Sequence, residues 1–247
     1  MSDSIDQAAT VLRSARHVCV LTGAGVSAES GVPTFRDAQT GLWARFRPEE
    51  LATPEAFASD PQRIWQWYEW RRELVRQAEP NPGHFALARL EQRLPQFTLV
   101  TQNVDGLHQR AGSVHVIEYH GSLLRDRCSA EGTVAPRSPV SITGLPECGR
   151  CGELLRPDVV WFGEPIPRAA LLQADVAAGD CDVFIAVGTA AAVYPAAGLA
   201  ERARRGGATL IEVNVEATEL SPLVDVALRG PSGVVLVELE KRVNGDW

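Results

Sequence analysis

Apolar positions along the chain follow two spacings in turn. The runs "HVCVLTG" (17–23), "FTLVTQN" (97–103), "VHVIEYHG" (114–121), "DVFIAVG" (182–188) and "TLIEVNV" (209–215) are short and rich in Val and Ile. Each is bounded by Gly, Asn or another polar residue, so each reads as a strand buried on both faces. Between them, apolar residues recur at helical spacing over about 4–15, 83–92, 168–178 and 195–206. That alternation predicts an α/β fold with a doubly wound, parallel, Rossmann-like sheet. Two stretches break the rhythm: 38–82, helical and tryptophan-rich, and 122–165, rich in Pro, Gly and Cys. They are expected to form a smaller domain from two insertions, leaving 1–37, 83–121 and 166–247 as the nucleotide-binding domain.

Within the first insertion, "IWQWYEWRRELV" (64–75) follows Asp60 and Pro61, which suit an N-cap and a first helical position. Ile64, Trp67, Tyr68, Leu74, Val75 and Ala78 form one apolar stripe, and Arg71 falls inside it. Residues three apart on a helix are neighbours, so Tyr68 and Arg71 stand together on the face that should be dry. Either the arginine stem packs on the tryptophans while its head reaches water, or the pair is a site.

A chain of 247 residues with 45% hydrophobic and 22% charged content can bury a full core. A formal net charge of -7 without a basic run argues against nucleic acid as the main partner and suits cationic ones, such as lysine-bearing proteins. The start, "MSDSIDQAATVLRSARH", has no basic segment leading into an apolar run, and no span is long enough to cross a membrane. The expectation is a cytoplasmic monomer without a membrane partner.

Three segments carry candidate chemistry. In "VLTGAGVSAESGVPTFRD", Gly23, Gly25 and Ala28 fit the glycine turn that lets backbone approach a pyrophosphate. The acidic residue expected on a second strand is missing, and a tight turn without a ligand gives the same glycines. In "TQNVDGLHQRAG", Gln102, Asn103 and Asp105 close a strand at the edge where open α/β sheets bind ligands, and their groups suit ribose hydroxyls or a carboxamide. Asn103 could equally cap the following helix. In "IEYHGS", His120 ends the next strand on the same edge. An imidazole at the mouth of a nucleotide site is a candidate general base.

Together with "VVWFGE" (159–164), "VGTAAAVYP" (187–195) and "EVN" (212–214), these motifs resemble the sirtuins, NAD-dependent protein deacylases, over nearly the whole chain. The resemblance implies that Gly23, Ala24 and Gly25 line the NAD phosphates, that Ser27 also belongs to the cofactor site, and that Phe35 and Arg36 close over the nicotinamide ribose. Asn103 and Asp105 bind the nicotinamide amide, Gln102 the ribose, and Gly188, Thr189 and Asn214 the phosphate and adenosine half. Ala190 stands where the family usually has serine, which removes one hydroxyl contact of about 0.5–1.5 kcal/mol. In the implied reaction the acyl oxygen of a modified lysine attacks the ribose carbon as nicotinamide leaves. His120 takes a proton from the ribose hydroxyls, and the products are free lysine, nicotinamide and O-acyl-ADP-ribose. Val160, Phe162 and Gly163, with the segment around 191–194, are expected to flank the acylated peptide as strands.

In members resembling the class III group, a Tyr-x-x-Arg lines the acyl pocket, and Tyr68 and Arg71 match it. Ala38 leaves depth for a longer chain. A guanidinium fork and a phenol donor suit succinyl, malonyl or glutaryl lysine. The cysteine module offers Cys128, Cys148 and Cys151 for a structural zinc, with Glu131 where a fourth thiolate is expected. Without metal, the module would fold on its own packing with reduced thiols. Cys19 and Cys181 read as inert core residues. Three other function classes stay open: a mono-ADP-ribosyltransferase on this fold, a non-catalytic NAD or ADP-ribose sensor, and an oxidoreductase.

Overall fold

The computed structural model describes residues 2–33, 47–138 and 144–245. The chain runs α1 (Ser2–Ser14), β1 (His17–Thr22), α2 (Gly25–Ala28), α3 (Pro48–Leu51), α4 (Pro54–Ser59), α5 (Pro61–Gln77), α6 (Pro82–Arg93), β2 (Gln96–Thr101), α7 (Leu107–Arg110) and β3 (Val116–Glu118). It continues through β4 (Gly121–Cys128), β5 (Leu155–Val159), α8 (Arg168–Asp180), β6 (Val183–Val187), α9 (Gly198–Arg205), β7 (Thr209–Asn214), β8 (Val226–Arg229) and α10 (Ser232–Asn244).

Six strands form one sheet in the order β3-β2-β1-β6-β7-β8, and every neighbouring pair is parallel. Five of these are the strands the pattern predicts. The sixth, β8, buries only Val226 and Leu228 of four residues and lies at the sheet edge, too short to leave a periodic signal. The helix after it, α10, went unpredicted too, although its Val235, Leu236 and Leu239 help to cover one sheet face. From α1 and α6, Leu12, Leu87 and Leu90 join them. The other face is closed by small residues of α8 and α9, among them Ala174, Ala178 and Ala203.

The direction of winding reverses at β1. Its last residue, Thr22, pairs with Thr101 of β2 on one side and Val187 of β6 on the other. Loops leaving these strand ends diverge, which opens a crevice where ligands of such sheets bind.

The two insertions share one apolar cluster. Trp65, Trp67 and Tyr68 of α5 pack with Leu123, Leu155 and Trp161 on or beside the antiparallel β4–β5 hairpin. Asp60 caps α5 by accepting the Arg63 N–H at 3.0 Å, and Pro61 opens it, as the sequence suggests. Arg72, only 3% exposed, joins α5 to β4 through Asp126 at 2.6 Å.

The two segments expected to flank the peptide are not strands of this fold. Of "VVWFGE", only Val159 belongs to a strand, and residues 191–194 form none. A strand needs a ladder partner. Here the Phe162 N–H is spent on the Ala52 carbonyl at 2.9 Å, and Gly163, at φ +84°, turns the chain away.

Candidate active site

Three glycines build the first wall of the crevice by close approach of backbone to backbone. The Gly23 N–H donates to Val187 at 3.0 Å and the Gly25 N–H to Gly188 at 2.9 Å. A Cβ on Gly25 would lie 2.8 Å from the Gly188 Cα. One on Gly188, which sits at φ +57°, would lie 2.5 Å from the Val26 nitrogen. The glycines after β1 are therefore required by the loop after β6, before any ligand is considered.

Short polar side chains fill the space beyond them. Asn103 donates to the Gly23 carbonyl and to Ser27 Oγ, both at 3.1 Å. It does not cap the helix that follows; Asp105 accepts the Leu107 N–H there, at 2.9 Å. The other Asp105 oxygen accepts from Ser27 Oγ at 2.8 Å. Burial raises the Asp105 carboxyl above its ordinary pKa, against those hydrogen bonds and the attraction of Arg71. Gln102 donates to Thr189 Oγ1 at 3.0 Å, and Asn214 donates to the Thr189 carbonyl at 3.0 Å.

His120 stands in the turn between β3 and β4, one residue past Tyr119, rather than at the end of a strand. Its Nδ1 lies 3.1 Å from the Gln102 carbonyl. A carbonyl only accepts, so Nδ1 carries the proton in the neutral ring and Nε2 is left as the base. Burial lowers its pKa below the ordinary value, although that hydrogen bond acts the other way. The neutral ring needed for proton abstraction therefore prevails at pH 7.

At the far end, Tyr68 and Arg71 line the same cleft, with the Arg71 guanidinium 5.0 Å from the Trp67 ring centre and 5.9 Å from that of Tyr68. Arg71 thus does lie on a tryptophan, yet it also faces the cavity. Its charge is felt by Tyr68 and Asp105. Val160, Phe162, Gly163, Gly23, Ala24, Gly25, Ser27, Gln102, Asn103, Asp105, His120, Gly188, Thr189 and Asn214 border this one cleft of about 1350 Å³. Phe35, Arg36 and Ala38 lie outside the described residues.

Spacing alone pointed to neither Trp161, which donates to the Tyr68 hydroxyl at 2.7 Å, nor the buried pair His84 and His108, whose rings are 4.8 Å apart behind the glycine wall. His84 reaches Ser27 Oγ at 3.4 Å, and His108 reaches Thr22 Oγ1 at 3.0 Å.

Away from the cleft, the sulfurs of Cys128, Cys148 and Cys151 lie within 4.8 Å of one another. A tetrahedral zinc with Zn–S near 2.3 Å would set its thiolates about 3.8 Å apart, so three corners fit. The Arg150 backbone N–H brings the Cys148 thiol down to about 7, which favours the thiolate. Glu131 is not gathered with them: Arg150 holds its carboxylate at 2.9 Å. Its backbone N–H lies instead 3.4 Å from the Cys128 sulfur.

Residues 23–195 match the model of the Sir2 family. The chain belongs to the Sir2 family. It is similar to the NAD-dependent protein deacylase 2 of Pyrobaculum aerophilum, 52% identical over 235 residues, covering 95% of this chain and 94% of that protein. Among solved structures, a Sir2 homolog–NAD complex superposes with a TM-score of 0.89 at 46% identity, covering 97% of this chain and 94% of the other. The structure of Sir2Af2 bound to a myristoylated histone peptide reaches 0.79 at 37% identity, covering 99% and 98%. The crevice at the reversal point of the sheet is therefore the Sir2 cleft of this chain, with the glycine wall at one end and Tyr68 and Arg71 at the other.

Proposed function

We propose that this protein is an NAD-dependent protein lysine deacylase that prefers acidic acyl groups, succinyl and malonyl, and also accepts acetyl. One observation carries the reading: a neutral histidine base and a tyrosine–arginine pair face the same cleft in a chain of the Sir2 family. NAD, when bound, supplies the ribose carbon that receives the acyl oxygen as nicotinamide departs. Gly23, Ala24, Gly25, Ser27, Gly188, Thr189 and Asn214 hold its phosphates and adenosine half, and Gln102 its ribose. Phe35 and Arg36 are assigned to closing over the nicotinamide ribose, and Ala38 to the depth of the acyl pocket. Asn103 and Asp105 orient the nicotinamide amide, and their ties to Ser27 keep both side chains fixed. His120 accepts a ribose hydroxyl proton at Nε2. Arg71 offers a planar, charged fork to the acyl carboxylate, and Val160, Phe162 and Gly163 border the lysine.

Acylated-lysine proteins or peptides are then the partners, which suits the acidic chain. Cys128, Cys148 and Cys151 would hold a structural zinc in this reading, and Glu131 would supply the fourth ligand only if its carboxylate left Arg150. Five free cysteines fit a reducing, cytoplasmic setting for a monomer, and no helix of the described residues is long and apolar enough to cross a membrane.

Mass spectrometry of matched acetyl- and succinyl-lysine peptides with and without NAD tests the proposal. The expected product is O-acyl-ADP-ribose, with faster turnover of the succinyl peptide. ADP-ribose attached to the peptide would assign a transferase instead, and no NAD-dependent product at all would leave a sensor.

A further inference from the structure

What lies behind Tyr68 decides what its hydroxyl can do. The Tyr68 oxygen is 2.7 Å from Nε1 of Trp161. An indole N–H donates and never accepts, so the phenol oxygen is the acceptor in this contact and its own proton must point elsewhere. The side chain is 1% exposed and borders the cleft, which leaves the acyl end of the cavity as the direction for that proton.

Trp161 is held on several sides. The Arg156 guanidinium lies 3.5 Å from a Trp161 ring centre, and Phe57 packs on the indole with centroids 5.4 Å apart. Glu164 accepts the Trp161 backbone N–H at 2.9 Å. Arg156 is itself clamped: its nitrogens meet the two Glu164 oxygens at 2.5 and 2.7 Å and the Val159 carbonyl at 2.8 Å. A bidentate pair of this kind fixes a guanidinium plane, and the indole stacked on it inherits the orientation.

We propose that Trp161, locked by the Arg156–Glu164 pair, is a positioning residue that makes the Tyr68 hydroxyl a fixed hydrogen-bond donor toward the carboxylate of an acidic acyl-lysine. The inference rests on the acidic-acyl reading given above and deepens it. Arg71 supplies charge to that carboxylate, and Tyr68 adds a neutral donor whose direction is set before the substrate arrives. Burial pushes the Tyr68 phenol up to about 12, so it keeps its proton across the working pH range. An acetyl group presents only a methyl to the same donor and makes no hydrogen bond with it. The arrangement therefore favours succinyl over acetyl.

Steady-state kinetics of Trp161→Phe on matched peptides tests this, since phenylalanine keeps the packing and removes the donor. The expected result is a rise of about tenfold in the succinyl KM relative to the acetyl KM, with kcat for the succinyl peptide changed less than twofold. In a Tyr68→Phe background the same substitution should shift that ratio no further. Equal changes for both peptides, or a tenfold shift that persists without the Tyr68 hydroxyl, would overturn the proposal. Arg71→Met separates it from its foundation. If that variant leaves the succinyl-to-acetyl ratio unmoved, the acidic-acyl reading fails; if it collapses the ratio while Trp161→Phe does not move it, only the role of Trp161 fails. Should Trp161→Phe melt below the assay temperature, Glu164→Gln, which loosens Arg156, should shift the ratio about threefold in the same direction, and an equal effect on both peptides would again overturn the idea.

Discussion

Where Gly25 meets Gly188, backbone packs on backbone, and the surrounding side chains are short and joined by hydrogen bonds: Ser27, Asn103, Asp105, Gln102 and Thr189. Where Tyr68 meets Trp161, the wall is made of large rings interleaved with guanidinium groups and carboxylates. The nucleotide end takes its shape from the parallel sheet, whose register leaves little to vary. The end proposed for the acyl group is built from side chains of the two insertions, whose apolar cluster includes no residue of β1 or β6. Damage to the first should abolish the reaction, whereas damage to the second should change which substrate is used.

The largest effect belongs to the shared chemistry. His120→Ala should lower kcat for acetyl and succinyl peptides alike by about 10²–10⁴-fold, the range for loss of a general base. In the wild type, burial holds the His120 imidazole below its ordinary pKa. The base is thus neutral at pH 7, and activity should be lost only as the pH falls through a midpoint under 6.5. A pH–rate profile with its acid midpoint above 6.5 would show that another group controls the proton.

A smaller and one-sided effect is expected at the other end. Arg71→Met should reduce succinyl kcat/KM about tenfold to more than a hundredfold, at about 1.5–3 kcal/mol per charge-assisted bond, with a much smaller change for acetyl. Equal loss on both substrates would make Arg71 a support of the fold and erase the contrast between the two ends.

The same contrast explains what could be read from the sequence. Segments such as "TQNVDG" carry strand, turn and polar groups within a few residues, so five of the six parallel strands and the polar residues at their ends stand out by spacing. The acyl end depends on a contact between residues 93 positions apart, Tyr68 and Trp161, which no local period records. Helical spacing singled out Arg71 but was blind to its neighbour Arg72, which is the more deeply buried and pairs with Asp126. Glu131 occupies the position of a fourth ligand by count, yet Arg150, two residues after Cys148, holds its carboxylate.

A last effect, on stability rather than turnover, separates the supports of the two ends by pH. Behind the glycine wall, the Asn81 N–H donates to His84 Nδ1 at 3.3 Å, so Nε2 carries the proton and faces Ser27. A second proton on Nδ1 would set N–H against N–H, and burial already pushes this imidazole down to about 4. An unfolded histidine takes up its proton near 6.5, so the stability His84 contributes is complete above that pH and is lost as the pH falls from 6.5 toward 4. At about 1.4 kcal/mol per unit this amounts to roughly 3 kcal/mol. His108, lowered by burial and by His84, acts in the same direction, while the raised Asp105 carboxyl acts in the opposite one near the acid end. The acyl end is arranged the other way. Burial would raise the Glu164 carboxyl, but the Arg156 guanidinium and the Trp161 N–H together keep it below 4.5, so its support persists until the pH drops beneath that value. Trp65, Trp67 and Trp161 pack at that end and report on it by fluorescence. At pH 5, affinity for ADP-ribose should therefore weaken before the indole emission shifts, and urea midpoints should fall between pH 7 and 5 with a slope that His84→Gln flattens. Simultaneous loss of nucleotide binding and indole burial would mean that both ends fail as one unit.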